Sequence, residues 1–343
     1  MKHIEISKRI FHFKQPAGTS RGIYTTRQSY FLTLTDDGMP GIKGVGECAP
    51  LPKLSCDDLP DYETILHQIC KLVESTDKIP YDLLRPYPSI LFGLETAFAQ
   101  LKAQGSTMLF DTPFGRGEEG IRINGLVWMG SFDEMAERLE AKLRQGFHCV
   151  KLKIGAIDFE KEIELIRHIR KSFDKRQVEL RVDANGAFTP KNALQHLETL
   201  AKYDIHSIEQ PIKQHQWEDI DHLCADSPLP IALDEELIGV NVATMKEALL
   251  DTIRPQYIVL KPSLHGGMRG TEEWIRLANA RGIGSWITSA LESNIGLNAI
   301  AQLCAKVYGP HVSTPQGLGT GQLFTDNIEM PLTIRGDEMW TTK

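Results

Sequence analysis

The feature that most limits how this chain can fold is a series of short apolar segments, each carrying charge at its end and recurring at near-equal intervals. They are Val150-Lys151-Leu152-Lys153-Ile154-Gly155, Leu180-Arg181-Val182-Asp183-Ala184-Asn185, Ser207-Ile208-Glu209-Gln210-Pro211, Ile231-Ala232-Leu233-Asp234-Glu235, Tyr257-Ile258-Val259-Leu260-Lys261-Pro262 and Ile287-Thr288-Ser289-Ala290-Leu291-Glu292. With Lys153, Asp183, Glu209, Asp234, Lys261 and Glu292 as markers, successive segments lie 30, 26, 25, 27 and 31 residues apart. A strand, a turn and a returning helix consume that length, so the series predicts repeated βα units. Charged groups at the C-terminal ends of such strands fall where a (β/α)8-type barrel assembles its active site.

The intervening segments fit this reading. Phe159, Ile163, Ile166 and Ile169 form one stripe of a predicted helix. Thr189 and Pro190 open another, to Tyr203, as N-cap and first helical residue. Further helices are predicted over Thr271–Ala280 and Asn294–Val307, a first barrel strand over Ile123–Val127 and a short final one over Ser313–Pro315.

Residues 1 to about 35 instead alternate apolar and polar side chains, as an antiparallel sheet does, with Asp36-Asp37-Gly38 as a turn. Pro16 to Gly22 reads as a mobile loop. Helices are expected over Asp57–Ser75 and, with Ser89 as N-cap, to Gln104. Residues 1–115 thus form a separate α+β unit, bounded by Gly115, Gly117 and Gly120, and the tail beyond residue 324 is expected to return to it.

Length and charge narrow the function. The 343 residues hold a barrel of about 250 residues and a smaller domain. A net charge of −7 disfavours nucleic acid and anionic membranes as partners. Cys48, Cys56, Cys70, Cys149, Cys224 and Cys304 contain no Cys-x-x-Cys pair and read as reduced thiols of a cytoplasmic protein. The first nine residues are too charged for a signal peptide, and no window has the apolar length of a membrane span.

Strand side chains alternate faces, so Lys151 and Lys153 share one face, as do Arg181, Asp183 and Asn185, while the apolar residues between them share the other. If the apolar face packs on the helices, Asp183, Glu209 and Asp234 converge in the barrel mouth from three consecutive strands. One such acid alone could cap a helix or pair with a lysine. Three in register repel unless a cation neutralises them, and all-oxygen ligands suit Mg2+ or Mn2+. Lys153 and Lys261 arrive from either side of the trio. A metal with two flanking lysines is what abstraction of a proton α to a carboxylate requires.

This pattern of Lys-x-Lys, Asp, Glu, Asp and Lys resembles the enolase superfamily, and more narrowly its muconate lactonizing enzyme subgroup. The resemblance spans nearly the whole chain. It implies a modified TIM barrel, (β/α)7β, with an N-terminal α+β capping domain over residues 1–115, joined by the tail 325–343, and a barrel over 116–324. It implies Asp183, Glu209 and Asp234 as Mg2+ ligands (Mn2+ as substitute) and Lys153 and Lys261 as the acid/base pair. Lys151, Asn185, Glu235, Ser289, Glu292 and Gly319 complete the expected site as substrate-binding or supporting residues.

Gly46-Glu47-Cys48-Ala49-Pro50-Leu51-Pro52, Val182-Asp183-Ala184-Asn185-Gly186 and Ser289 to Leu297 are most similar to the o-succinylbenzoate synthase family of menaquinone biosynthesis. That resemblance implies loss of water from a cyclohexadiene carboxylate bearing a succinyl chain (SHCHC), through an enediolate. The alternative is a racemase or epimerase of N-acylamino acids or dipeptides, or a cycloisomerase, of the same subgroup. Dipeptide epimerases usually carry an Asp-x-Asp pair near the last strand, and Ser313 to Gly321 contains no acid. His265 is expected to be solvated or next to substrate, Glu292 to brace Lys261 or a neighbouring loop, and the stretch from Ser20 to Thr26 to close over the site as a lid.

Overall fold

The computed structural model describes residues 1–19 and 22–342. Its N-terminal part is an antiparallel sheet of β1 (Lys2–Thr19), β2 (Gly22–Asp36) and β3 (Lys43–Cys48) in that order, covered by α1 (Tyr62–Thr76) and α2 (Pro88–Lys102). Tyr30 and Leu32 of β2 pack with Leu66, Ile69 and Val73 of α1 and with Ile90 and Leu94 of α2. Gly46 permits the tight sheet–helix contact: a Cβ there would lie 1.7 Å from the Gly93 carbonyl oxygen.

The expected loop and the expected Ser89 cap both fail here. The stretch taken as a loop over Pro16–Gly22 is largely ladder, because Ala17, Gly18 and Thr19 pair with Tyr24, Ile23 and Gly22. The register shift between His12 and Ala17 absorbs Pro16, which has no amide to donate. Of the expected lid, Ser20 and Arg21 lie outside the described residues, and residues 22–26 belong to β2. Ser89 sits inside α2 and is not its cap; its hydroxyl and amide both donate to the buried Asp57 carboxylate.

The barrel follows: β4 (Ile121–Arg122), β5 (Gly125–Val127), α3 (Phe132–Arg144), β6 (Cys149–Lys153), α4 (Phe159–Ser172), β7 (Glu179–Asp183), α5 (Pro190–Ala201), β8 (Ser207–Glu209), α6 (Trp217–Asp226), β9 (Ile231–Leu233), α7 (Ala243–Ile253), β10 (Tyr257–Leu260), α8 (Gly267–Asn279), β11 (Gly284–Ile287) and α9 (Asn294–Tyr308). Strands β5 to β11 form one parallel sheet in sequence order. Parallel bridges from Ile123 to Gln316 and from Thr288 to Gly317 join its two edges. The final strand expected at Ser313–Pro315 is therefore displaced and reduced to two bridging residues. Gly319–Leu323 forms a 3-10 turn, and β12 (Leu332–Arg335) and β13 (Glu338–Thr341) make a small antiparallel sheet with β4. The fold is a modified TIM barrel of the (β/α)7β type with an N-terminal α+β capping domain. Among the described residues no helix is long and apolar enough to cross a membrane.

Strand parity is as the alternation predicts. Val150, Leu152, Leu180, Val182, Ile208, Ile231, Leu233, Ile258, Leu260 and Ile287 enter one core with the surrounding helices. Ala232, Val259 and Trp286, one residue out of phase, form a separate interior cluster, and the Arg181 guanidinium stacks 4.3 Å from the Trp286 ring centroid. Helix α5 has the expected start, where the Thr189 amide and hydroxyl both donate to Asn192 Oδ1. Helix α8 begins at Gly267, four residues before the expected Thr271. Gly266 and Gly267 turn the chain at φ 98° and 72°, and the Glu95 carboxylate of α2 accepts the freed amides of Met268 and Arg269.

Candidate active site

Lys151, Lys153, Asp183, Glu209, Asp234, Glu235 and Lys261 stand at the C-terminal ends of β6 to β10 and are all buried or nearly so. The register places Lys153 beside Asp183, Asp183 beside Glu209, and Glu209 beside Ala232, two residues before Asp234. A cavity of about 390 Å³ opens onto this group, lined among others by Lys151, Lys153, Asp183, Glu209, Glu235 and Lys261. Asp234 lies just behind its wall, fully buried.

The ammonium groups occupy much of the carboxylate surface. Lys151 Nζ lies 3.1 Å from Asp183 Oδ2 and 2.8 Å from Glu209 Oε2. Lys153 Nζ lies 3.1 Å from the same Asp183 oxygen and donates to Asn185 Oδ1 at 2.6 Å. Lys261 Nζ pairs with Asp234 Oδ2. With these partners in place, no group of three or more His, Cys, Asp or Glu side chains among the described residues is gathered tightly enough to hold a metal ion. The carboxylate trio is adjacent, as parity requires, and is bridged by lysines.

Four buried carboxylates face three ammonium groups, which leaves a surplus of negative charge. Its effects are visible in the individual groups. Burial, and then the Asp183 charge, push Glu209 up to about 8. Burial also raises Asp234 and Glu235. Against its own burial, Asp183 is held below the usual carboxylate range by Lys153, Lys151 and Lys261. Lys151 and Lys261 hold their protons more tightly than a free lysine, because the surrounding carboxylates outweigh burial.

Glu209 Oε1, Asp234 Oδ1 and Glu235 Oε2 are buried and have no hydrogen-bond partner. Unsatisfied carboxylate oxygens at a site with surplus negative charge fit a hard divalent cation, for which an all-oxygen donor set is suited. The donor chemistry suits the Mg2+ or Mn2+ expected from the sequence: Glu209 and Asp234 each keep an unpartnered oxygen, while both Asp183 oxygens are engaged by Lys151, Lys153 and the Asn185 amide.

The supporting residues divide. Asn185, at φ 45°, receives Lys153 and donates from Nδ2 to Glu235 Oε1 at 2.9 Å, so this pair orients a lysine as well as flanking the acids. Ser289 and Gly319 line the cavity, and the Ser289 hydroxyl bonds that of Thr320. Glu292 braces a loop, as expected, but from behind the cavity wall: Ser263 Oγ, two residues past Lys261, and the Ala290 amide both donate to it. His265 is neither solvated nor beside the cavity. It is fully buried, its Nδ1 accepts the Lys261 amide at 2.9 Å, and burial keeps it neutral by lowering its proton affinity.

Sequence reasoning missed Trp128, whose ring lies 5.7 Å from Lys153 Nζ, and the cavity wall formed by Lys14, Gln15, Leu51 and Leu54 of the N-terminal part. An isolated tryptophan after a short strand carries no periodic signal. The wall depends on how two distant segments meet.

A family model described as enolase C-terminal domain-like matches residues 134–336. The chain is 47% identical to the o-succinylbenzoate synthase of Desulfotalea psychrophila, over 94% of this chain and 95% of the relative. The crystal structure of MenC from the same organism superposes with a TM-score of 0.83 at 42% identity, covering 99% of both chains. A dipeptide epimerase of Enterococcus faecalis, solved with Mg and the dipeptide L-Leu-L-Tyr, has a TM-score of 0.84 at 18% identity, covering 99% and 96% of the two chains, and shares the fold. The chain belongs to the enolase superfamily and, within it, to the o-succinylbenzoate synthase family.

Proposed function

We propose that this chain is an Mg2+-dependent hydro-lyase that converts SHCHC to o-succinylbenzoate in menaquinone biosynthesis. The observation that carries the reading is a pair of lysines, Lys153 and Lys261, on opposite sides of buried strand-end carboxylates in a member of this family. Members of the superfamily are metal-dependent. Asp183, Glu209 and Asp234 are the residues that would hold the cation, and Mg2+ is the ion we assign. Bound there, it would supply positive charge against the substrate carboxylate as the α-proton leaves.

The lysines carry the proton. Lys153 takes the proton α to the ring carboxylate, and the C–H electron pair moves into that carboxylate. Its return expels the ring hydroxyl, which takes the same proton from Lys153 and departs as water. Lys261 stays protonated and offsets the anionic ring by charge. Asn185 and Glu235 keep Lys153 in place. The gain in aromaticity drives the loss of water, so the protein needs only to hold the anion and shuttle one proton.

Ser289, Gly319 and the wall from Lys14 to Leu54 are assigned to substrate contact, because they line the cavity. We take residues 1–115 with the tail 325–343 as the capping domain and 116–324 as the barrel domain. The bond from the Thr325 amide to the His12 carbonyl supports the link between tail and capping domain, although β13, which carries β12 on its other edge, itself pairs with β4. The six free cysteines support a cytoplasmic location.

The test is loss of SHCHC absorbance with Mg2+, for wild type and Lys153→Ala. Turnover that disappears in the variant and on adding chelator is expected. A folded wild type that leaves SHCHC unchanged with Mg2+ present contradicts the reading. Exchange of the α-proton of N-succinylamino acids in deuterated water would then favour the racemase reading, which needs the same two lysines.

A further inference from the structure

Two buried charged side chains outside the lysine–carboxylate group lie where the N-terminal sheet meets the barrel mouth. Arg27, on β2, is 2% exposed, and its hydrogen bonds go to main-chain carbonyls. Its Nε donates to Leu291 at 3.2 Å, and its terminal nitrogens reach Pro50 at 2.5 Å, Ala49, and Ala290 at 3.5 Å. One guanidinium thus ties two segments that lie 241 positions apart in the chain, from residue 50 to residue 291.

Glu47, on β3, accepts four donors. Ser29 Oγ and the Ser293 amide reach Oε1 at 2.6 and 2.9 Å, while Ser293 Oγ and the Gly296 amide reach Oε2 at 2.6 and 2.9 Å. It therefore satisfies the first turn of α9, immediately beyond the segment that Arg27 holds. Gly296 leaves room for it, since a Cβ there would stand 2.9 Å from Glu47 Oε2.

These contacts matter because the tied segments are cavity walls. Leu51 and Leu54 line the cavity, as do Ser289, Ala290 and Leu291, and Leu51, Ala290 and Leu291 share one apolar cluster. Leu291 also has φ 65°, a conformation a leucine adopts only when its surroundings over-determine it. The bond from Arg27 to its carbonyl is one such constraint. The two lysines stand on β6 and at the end of β10, outside this clamp.

We propose that Arg27 is a positioning residue for substrate recognition: it fixes the Ser289–Leu291 wall against the Leu51–Leu54 wall, with Glu47 anchoring the far end of the same segment. The proposal deepens the function proposed above and rests on it in taking this cavity as the place where SHCHC binds. Loosening a wall that does not itself carry the lysines should weaken binding more than it slows the proton transfer.

Arg27→Met keeps the apolar stem and removes every donor, while Arg27→Lys keeps a charge that can reach part of the carbonyl set. Two measurements decide the matter: steady-state kinetics on SHCHC with Mg2+, and amide hydrogen exchange of the 286–297 segment. Arg27→Met is expected to raise KM about tenfold or more with kcat within about threefold of wild type, and Arg27→Lys to recover part of the loss. Exchange should quicken in residues 288–297 and stay unchanged in β6 and β7.

Unchanged exchange in that segment overturns the proposal. So does faster exchange with KM unaltered, or a fall in kcat at constant KM. If Arg27→Met does not fold, Glu47→Gln is measured in the same way and must show the same split. Failure of the wild type on SHCHC counts against the proposed function alone, since the exchange contrast needs no substrate and still decides whether Arg27 holds this wall.

Discussion

Replacing Lys151 by methionine isolates the electrostatics of the site. Methionine retains most of the stem and its packing but removes the ammonium that lies 3.1 Å from Asp183 Oδ2 and 2.8 Å from Glu209 Oε2. Each contact is worth about 5 kcal/mol by Coulomb's law at an effective dielectric of about 20. Most of that is offset by the desolvation the ammonium no longer has to bear, and removal of one member of a buried ionic group typically costs about 3–5 kcal/mol. For a chain of 343 residues, an unfolding entropy of about 0.7 kcal/mol/K converts this to a fall of roughly 4–7 °C in Tm. The assay is thermal unfolding near neutral pH, in chelator and again with millimolar Mg2+. Since the variant leaves more negative charge uncompensated, Mg2+ should raise its Tm by more than it raises that of wild type. A variant that melts within about 1 °C of wild type in chelator, or gains no more from Mg2+, refutes the reasoning.

Lys153→Ala and Lys261→Ala should each lower kcat by about 10²–10⁴ while the protein remains folded, as read by single-turnover kinetics and circular dichroism. Asp57 gives a pH test away from the site: burial raises its carboxyl from 3.8 to about 6, so the folded state binds its proton more tightly than the unfolded chain does. Its stabilising contribution is full below about pH 4 and is lost as pH rises to about 6, a change of roughly 3 kcal/mol. In urea unfolding, the wild type should therefore lose stability relative to Asp57→Asn over that window, and parallel pH profiles would show the sign to be wrong. Gly46→Ala drives a methyl group into the Gly93 carbonyl at 1.7 Å and should cost about 3 kcal/mol or more, measured by the same unfolding. A cost under about 1 kcal/mol would mean that α2 shifts freely on the sheet.

The barrel and the core of its site were legible because both depend on short-range regularities. Alternation placed Lys151 with Lys153 and Asp183 with Asn185 on the inner face, and the interval between segments required helices between parallel strands. Long-range choices left weaker marks. Ser89 has the composition of a cap yet donates to Asp57, a partner 32 residues away, and sits within α2. Pro16 suggested a loop, but the shifted register lets the ladder resume at Ala17. His265 followed a catalytic strand and suggested a solvated group, whereas its ring accepts a backbone amide in the interior. Arg27 resembled any surface arginine on an alternating strand. Its carbonyl partners on the α9 side lie 263 and 264 positions further along the chain, beyond the reach of pattern or propensity.

The most direct measurement is a crystal structure of the wild type grown with Mn2+ and o-succinylbenzoate, with anomalous scattering collected at the manganese edge. A single strong peak bounded by Asp183, Glu209 and Asp234 is expected, with Lys151 displaced from between the carboxylates and the product ring between Lys153 and Lys261. A peak elsewhere, or product bound away from the two lysines, would contradict the assignment of these strand-end residues to the chemistry.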